Sequence, residues 1–175
     1  MCLLLLSLAV IIRINSAFHF SIISIILHSF LGFVAFPIIC IPLHEALHII
    51  PYWLSGARNI RIGMDLKQYI FYVTAHRYVA SPVQFITVAL IPFIVISMLA
   101  IILILFLPGL WKWSFSMFFF IHTTMCAGDF ALLNFYFINR DKKIYTWDDA
   151  DEKMAYFYEK KETVWRCDGM TIWLV

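Results

Sequence analysis

The chain has 175 residues, of which 63% are hydrophobic, 18% aromatic and 14% charged. Soluble domains carry roughly 25% charged residues, so this composition excludes an ordinary soluble globule and implies an integral membrane protein surrounded by lipid bilayer. The net charge of +2, with no basic cluster interleaved with aromatic residues, excludes nucleic acid as a partner.

Four apolar stretches follow one another: residues 1–12, about 18–54, about 83–107 and about 113–138. Met1–Ile12 falls short of the roughly 20 apolar residues that a span needs. It has the length of a signal-peptide apolar segment, but no basic region precedes it, and Arg13 and Asn15 follow it instead of an Ala-x-Ala site. It reads as the remainder of a first span, truncated at its N-terminal side. The second stretch carries His19, His28, Pro37 and Pro42 before it reaches His44. Pro42 removes a helical hydrogen bond, which predicts a kinked or restarted backbone just ahead of His44. Pro51 with Ser55-Gly56 ends this helix.

Residues 57–82 differ in kind. Arg58, Arg61, Asp65, Lys67 and Arg77 give the segment its charge, while Ile60-Arg61-Ile62 and Tyr69–Thr74 are rich in β-branched and aromatic residues. The pattern predicts a small β-hairpin around Gly63–Gln68. Ser81-Pro82 opens the third span, which contains Pro92 and is closed by Pro108-Gly109. Trp111 and Trp113 form an interfacial connection. The fourth span contains His122, Cys126, Gly128 and Asp129, and its run Phe115–Phe120 is lipid-facing or packing surface. Asn139-Arg140-Asp141-Lys142-Lys143 marks the exit from the membrane.

The fold class expected is an all-α membrane protein of about four transmembrane helices, the first truncated, with a small β-hairpin between the second and third. Residues 1–145 form one transmembrane domain and residues 146–175 a polar tail. The 57–82 segment and the tail hold most of the Lys and Arg, so the positive-inside rule makes both cytoplasmic in a multi-pass cell-membrane protein. An even number of crossings puts the N-terminus on the same side. Cys2, Cys40, Cys126 and Cys167 are widely spaced without a CxxC pair, so they read as free thiols and not as a disulfide framework.

Inside the second apolar stretch stands His44-Glu45-Ala46-Leu47-His48. Histidines at i and i+4 project from one helix face, one turn apart, and can reach one metal ion. A glutamate beside the first can act on a metal-activated water, the arrangement of zinc peptidases. Ionisable groups within hydrocarbon are costly and mark function; the bland alternative, a polar end to a span, is opposed by the apolar flanks Ile38–Leu43 and Ile49-Ile50. Zinc needs a third protein ligand and an open position. Asp129, the only carboxylate in the apolar part of the fourth span, is the candidate. His76 is a candidate to stabilise a developing oxyanion. His122, two turns before Asp129, reads first as a partner for a neighbouring helix, and His19 and His28 as structural. Haem is disfavoured, because axial ligands come from opposing helices.

The segment Ile41-Pro42-Leu43-His44-Glu45-Ala46-Leu47-His48 with the Gly56 turn resembles the putative zincin peptidase family of small bacterial membrane proteins. The hairpin ending in His76, the helix with Pro92, Ala127-Gly128-Asp129, and Asp148-Asp149 followed by Tyr156-Phe157-Tyr158 occur in that family's order, over about residues 20–160. Thr74 and Ala75 depart from the cysteine or other polar residues often found there. The family is distantly similar to site-two intramembrane proteases. That similarity implies His44, His48 and Asp129 as Zn²⁺ ligands and Glu45 as catalytic base, making residues 1–145 a metalloprotease-like domain. The function expected is zinc-dependent hydrolysis of peptide bonds in a membrane or membrane-proximal protein substrate. The alternative is a non-catalytic membrane metal-binding protein: a transporter, a sensor or a degenerate protease that regulates a partner. Glu45 separates the two, since a transporter needs no general base beside a ligand.

Overall fold

The computed structural model describes residues 20–65, 70–152, 154–160, 165–166 and 171–173. The first apolar stretch, Arg13, His19 and the hairpin tip at 66–69 lie outside the described residues. Two helices are long and apolar enough to cross a membrane, Ile22–Leu54 and Pro82–Phe106, and a third span exists if the helices on either side of Cys126 count as one bent crossing. These correspond to the second, third and fourth stretches.

The 33-residue span Ile22–Leu54 has three parts. Helix α1 (Ile22–Phe30) starts at Ser21, whose hydroxyl accepts from the Ser24 N–H. A π-helical turn covers Leu31–Ala35, and α2 covers Phe36–Leu54. Pro37 has no N–H to continue the i→i−4 ladder, and the wide turn comes immediately before it. Helix α2 runs through both Pro42 and Pro51, so the backbone does not restart ahead of His44. Its end is a Schellman motif: Ala57 N–H donates to Tyr52 O and Gly56 N–H to Trp53 O, with Gly56 at φ 99°.

Helix α3 (Pro82–Phe106) opens with a reciprocal cap. The Gln84 N–H donates to Ser81 Oγ, the Ser81 N–H donates to Gln84 Oε1, and Pro82 occupies the first turn where its missing N–H is harmless. The fourth apolar stretch is two helices, α4 (Leu110–Met125) and α5 (Ala127–Ile138), interrupted at Cys126.

The chain divides into two compact units. The first, within residues 1–40 and 96–125, packs α1 and the π-helical turn against α4. Ser114 Oγ donates to the His28 carbonyl, the Trp113 indole N–H donates to Ser29 Oγ, and Phe36 stacks on Phe115. His28 donates from Nδ1 to the Ser24 carbonyl and meets Trp111 edge-on, which is a packing role.

The second unit, residues 41–95 and 126–175, holds the strands found among the described residues. Strands β1 (Ile60–Asp65) and β2 (Ile70–Ala75) form the expected hairpin, with Ile62 opposite Val73. The remaining strands are β3 (Val79–Ala80), β4 (Ile144–Asp149), β5 (Met154–Lys160), β6 (Trp165–Arg166) and β7 (Thr171–Trp173). They make a second antiparallel sheet in the order β3-β4-β5-β6, with β7 also pairing β5. The protein is mostly helical, yet the all-α description has to be widened for this sheet, and the segment read as a polar tail supplies four of its five strands. Ile144, Thr146 and Asp148 on β4, and Ala155 and Phe157 on β5, turn inward. Ile144, Ala155 and Phe157 cover Phe85 of α3 and Tyr136 of α5. Burying rings of this size contributes about 1.5–3 kcal/mol each. A smaller core of Tyr52, Ala57, Ala75 and Val88 joins α2, β2 and α3.

Candidate metal centre

His44 and His48 sit one turn apart on α2 with ring centroids 5.1 Å apart, and both are buried. The break at Cys126 makes Asp129 part of the first turn of α5, where the unpaired N–H groups of the helix end favour negative charge. Asp129 Oδ2 lies 3.2 Å from His44 Nε2 and Oδ1 lies 3.8 Å from His48 Nε2. The three donor atoms stand within 4.8 Å of one another, so one ion can reach all of them. Among the described residues, no Lys or Arg pairs with Asp129.

The opposite side of each imidazole is also engaged. His48 Nδ1 lies 2.9 Å from the Val88 carbonyl oxygen, which can only accept, so Nδ1 carries the proton. In the neutral ring Nε2 is then a lone pair, and it faces a carboxylate oxygen. A proton or a metal ion between two such acceptors relieves their repulsion, and a ring held by a carbonyl on its far nitrogen is how ligating histidines are oriented. The donor set of two imidazoles and one carboxylate suits zinc with an open fourth position. Cys126 Sγ lies 4.0 Å from His44 Nδ1.

Glu45 is half-buried beside these residues, and the Val73 N–H is directed at its carboxylate. His76 N–H donates to Asn59 O, and every second residue of β2 from there faces β1, so Val73 N–H belongs to the edge of β2 that β1 leaves open.

His76 is not brought to this group. Its Nδ1 accepts from the Ala150 N–H at 3.0 Å, and Asp149 and Asp151 stand 3.8 and 3.5 Å from its ring nitrogens. These three also lie close enough together to hold an ion, but the charges are already balanced: Arg77 pairs with Asp149 and Arg61 with Asp151. Burial raises the Asp149 carboxyl, yet the backbone N–H groups of Asp151 and Glu152, with Arg77, hold it below its ordinary value. Asp148 next to it is buried, which pushes its carboxyl up to about 6 against the pull of the Thr74 hydroxyl. His122 lies in α4, buried against Phe118 in the first unit.

Sequence reasoning gave no role to Val88 or to Asp148. A backbone carbonyl leaves no signature in side-chain identity. Asp148-Asp149-Ala150-Asp151 did leave one, because it separates the alternating runs Ile144–Trp147 and Met154–Tyr158 as a hairpin turn would.

A family model described as a putative zincin peptidase matches residues 37–145, from the start of α2 to the start of β4. Neither a curated protein nor a solved structure matches the chain.

Proposed function

Because the chain belongs to the putative zincin peptidase family, we propose that it is a zinc-dependent peptidase acting at the membrane on a membrane or membrane-proximal protein. The observation that carries this reading is the convergence of His44 and His48 on the Asp129 carboxylate, with the far nitrogen of His48 committed to Val88. These three residues would hold the ion. Zinc bound there would supply a Lewis acid that polarises the scissile carbonyl and brings the pKa of a water toward ~7.

The chain's own groups account for the rest. Glu45 is adjacent to a ligand without being one, so its carboxylate is free to take a proton from the attacking water and return it to the leaving amine. Helical substrate backbone is already hydrogen-bonded, so it must unwind before its carbonyl can be attacked. The edge of β2 that β1 leaves free, ahead of the bridge between His76 and Asp148, offers the unwound segment a strand to pair with, close to Glu45. The basic residues of the hairpin and of Arg140–Lys143 support a cytoplasmic position for both segments.

The test is zinc content and proteolysis measured together. Wild type should bind about one zinc per chain, and His44→Ala should lose it. Glu45→Gln should keep the zinc, because the amide preserves shape, yet lose about 10²–10⁴-fold in turnover of any cleaved substrate. Full cellular function in Glu45→Gln with loss in His44→Ala would favour metal binding without catalysis.

A further inference from the structure

Strand β2 has two faces with different neighbours. Val73 and Ala75 pack on Tyr52, two turns beyond His44 on α2. Thr74 and His76 point the other way, toward the β4–β5 turn. There Thr74 Oγ1 donates to Asp148 Oδ2 at 3.0 Å, with both residues buried. Ala150 N–H donates to His76 Nδ1, and Arg77 N–H donates to the Asp148 carbonyl at 2.8 Å. Arg61 on β1 pairs with Asp151 and Arg77 with Asp149. Arg77 itself has φ 56°, a left-handed conformation that non-glycine residues rarely adopt, and persists in it because this turn grips both its backbone and its side chain.

We infer that the turn Asp148–Asp151 is a positioning element that clamps the C-terminal end of β2, through the Thr74 side chain and through the Arg77 N–H on the same edge as Val73, and thereby fixes Val73 against Glu45. The clamp lies beyond the residues that the family model matches. It therefore links the C-terminal sheet to a site built entirely within residues 37–145. Its functional meaning rests on Glu45 being the base. Its structural content does not.

Thr74 is the residue that tests it, because valine keeps the shape and removes only the hydroxyl donor, while serine keeps the donor. In the full-length protein in detergent, amide exchange over 70–75 should accelerate in Thr74→Val and in Asp148→Ala and return to the wild-type rate in Thr74→Ser. Exchange over 110–125 should not change in any of them. Cobalt serves as a second probe: all variants should bind it as wild type does, but its visible spectrum should change in Thr74→Val and not in Thr74→Ser, because the Glu45 carboxylate beside the ligand set would have moved. Unaltered exchange over 70–75 in both loosening variants would overturn the clamp. So would an equal acceleration over 110–125, which would signal general destabilisation. A cobalt spectrum identical in Thr74→Val and wild type would overturn the link to Glu45. If wild type binds no cobalt, the metal reading fails, and the exchange arm still decides the clamp.

Discussion

His48 donates from Nδ1 to the carbonyl oxygen of Val88, 40 residues away, and this one contact fixes which nitrogen faces Asp129. The neutral ring presents a lone pair to a carboxylate, an arrangement that attracts a cation and otherwise repels.

Asp129→Asn tests that arrangement. The asparagine amide can donate to His48 Nε2, so the metal-free protein should melt at or above the wild-type temperature. Loss of outer groups that orient metal ligands typically lowers affinity about 10–100-fold, and loss of a charged ligand should exceed that. Isothermal titration with zinc checks it; an unchanged affinity would remove Asp129 from the ligand set.

Much of this site was legible because a helix repeats every 3.6 residues. His44 and His48 must share a face, and Asp129 needed a partner wherever it lay in an apolar helix. The hairpin was legible from Ile60–Ile62 and Tyr69–Thr74. The second sheet was missed, because the charges at Asp148–Lys153 read as a polar tail when they mark the turn between the alternating runs Ile144–Trp147 and Met154–Tyr158. His76 is the instructive residue. It adjoins the hairpin strand whose open edge meets Glu45, but the alternation of a strand places it with Thr74 and away from Val73 and Ala75, so its ring reaches the acidic turn. The break at Cys126 had no proline to announce it.

Gly32 should be intolerant of a side chain. It lies in the π-helical turn, and a Cβ there would overlap the Ser114 carbonyl oxygen and crowd Met117. Backbone cannot move aside as a flexible side chain can, so Gly32→Ala should destabilise by about 1–3 kcal/mol. Thermal unfolding in detergent would measure it. Because the contact lies in the first unit, zinc affinity at His44 and His48 should change little at temperatures where the protein is folded.

Reporter fusions test the orientation. Fusions after Gly56 and after Lys143 should both report the cytoplasm, since Arg58, Arg61 and Arg77 flank the first point and Arg140, Lys142 and Lys143 the second. A fusion at Pro108 should report the opposite side. A tail found outside the cell would reverse the proposed topology and with it the side on which a substrate meets β2.

The final prediction concerns pH. Burial raises the Asp148 carboxyl from 3.8 to about 6, so the folded protein binds this proton more tightly than the unfolded chain does. The contribution to stability is therefore fully present below about pH 4 and is lost as pH rises toward 6, after which it is constant. The shift corresponds to a loss on the order of 3 kcal/mol across that window. Asp148→Asn cannot ionise, and its side-chain oxygen can still accept from Thr74. Its melting temperature should match wild type near pH 4 and exceed it by several degrees at pH 7. Taking the difference between the two proteins at each pH cancels the titration of every group that both share. A difference independent of pH would mean that folding leaves the Asp148 carboxyl near its ordinary value, with Thr74 and the backbone of the turn offsetting its burial.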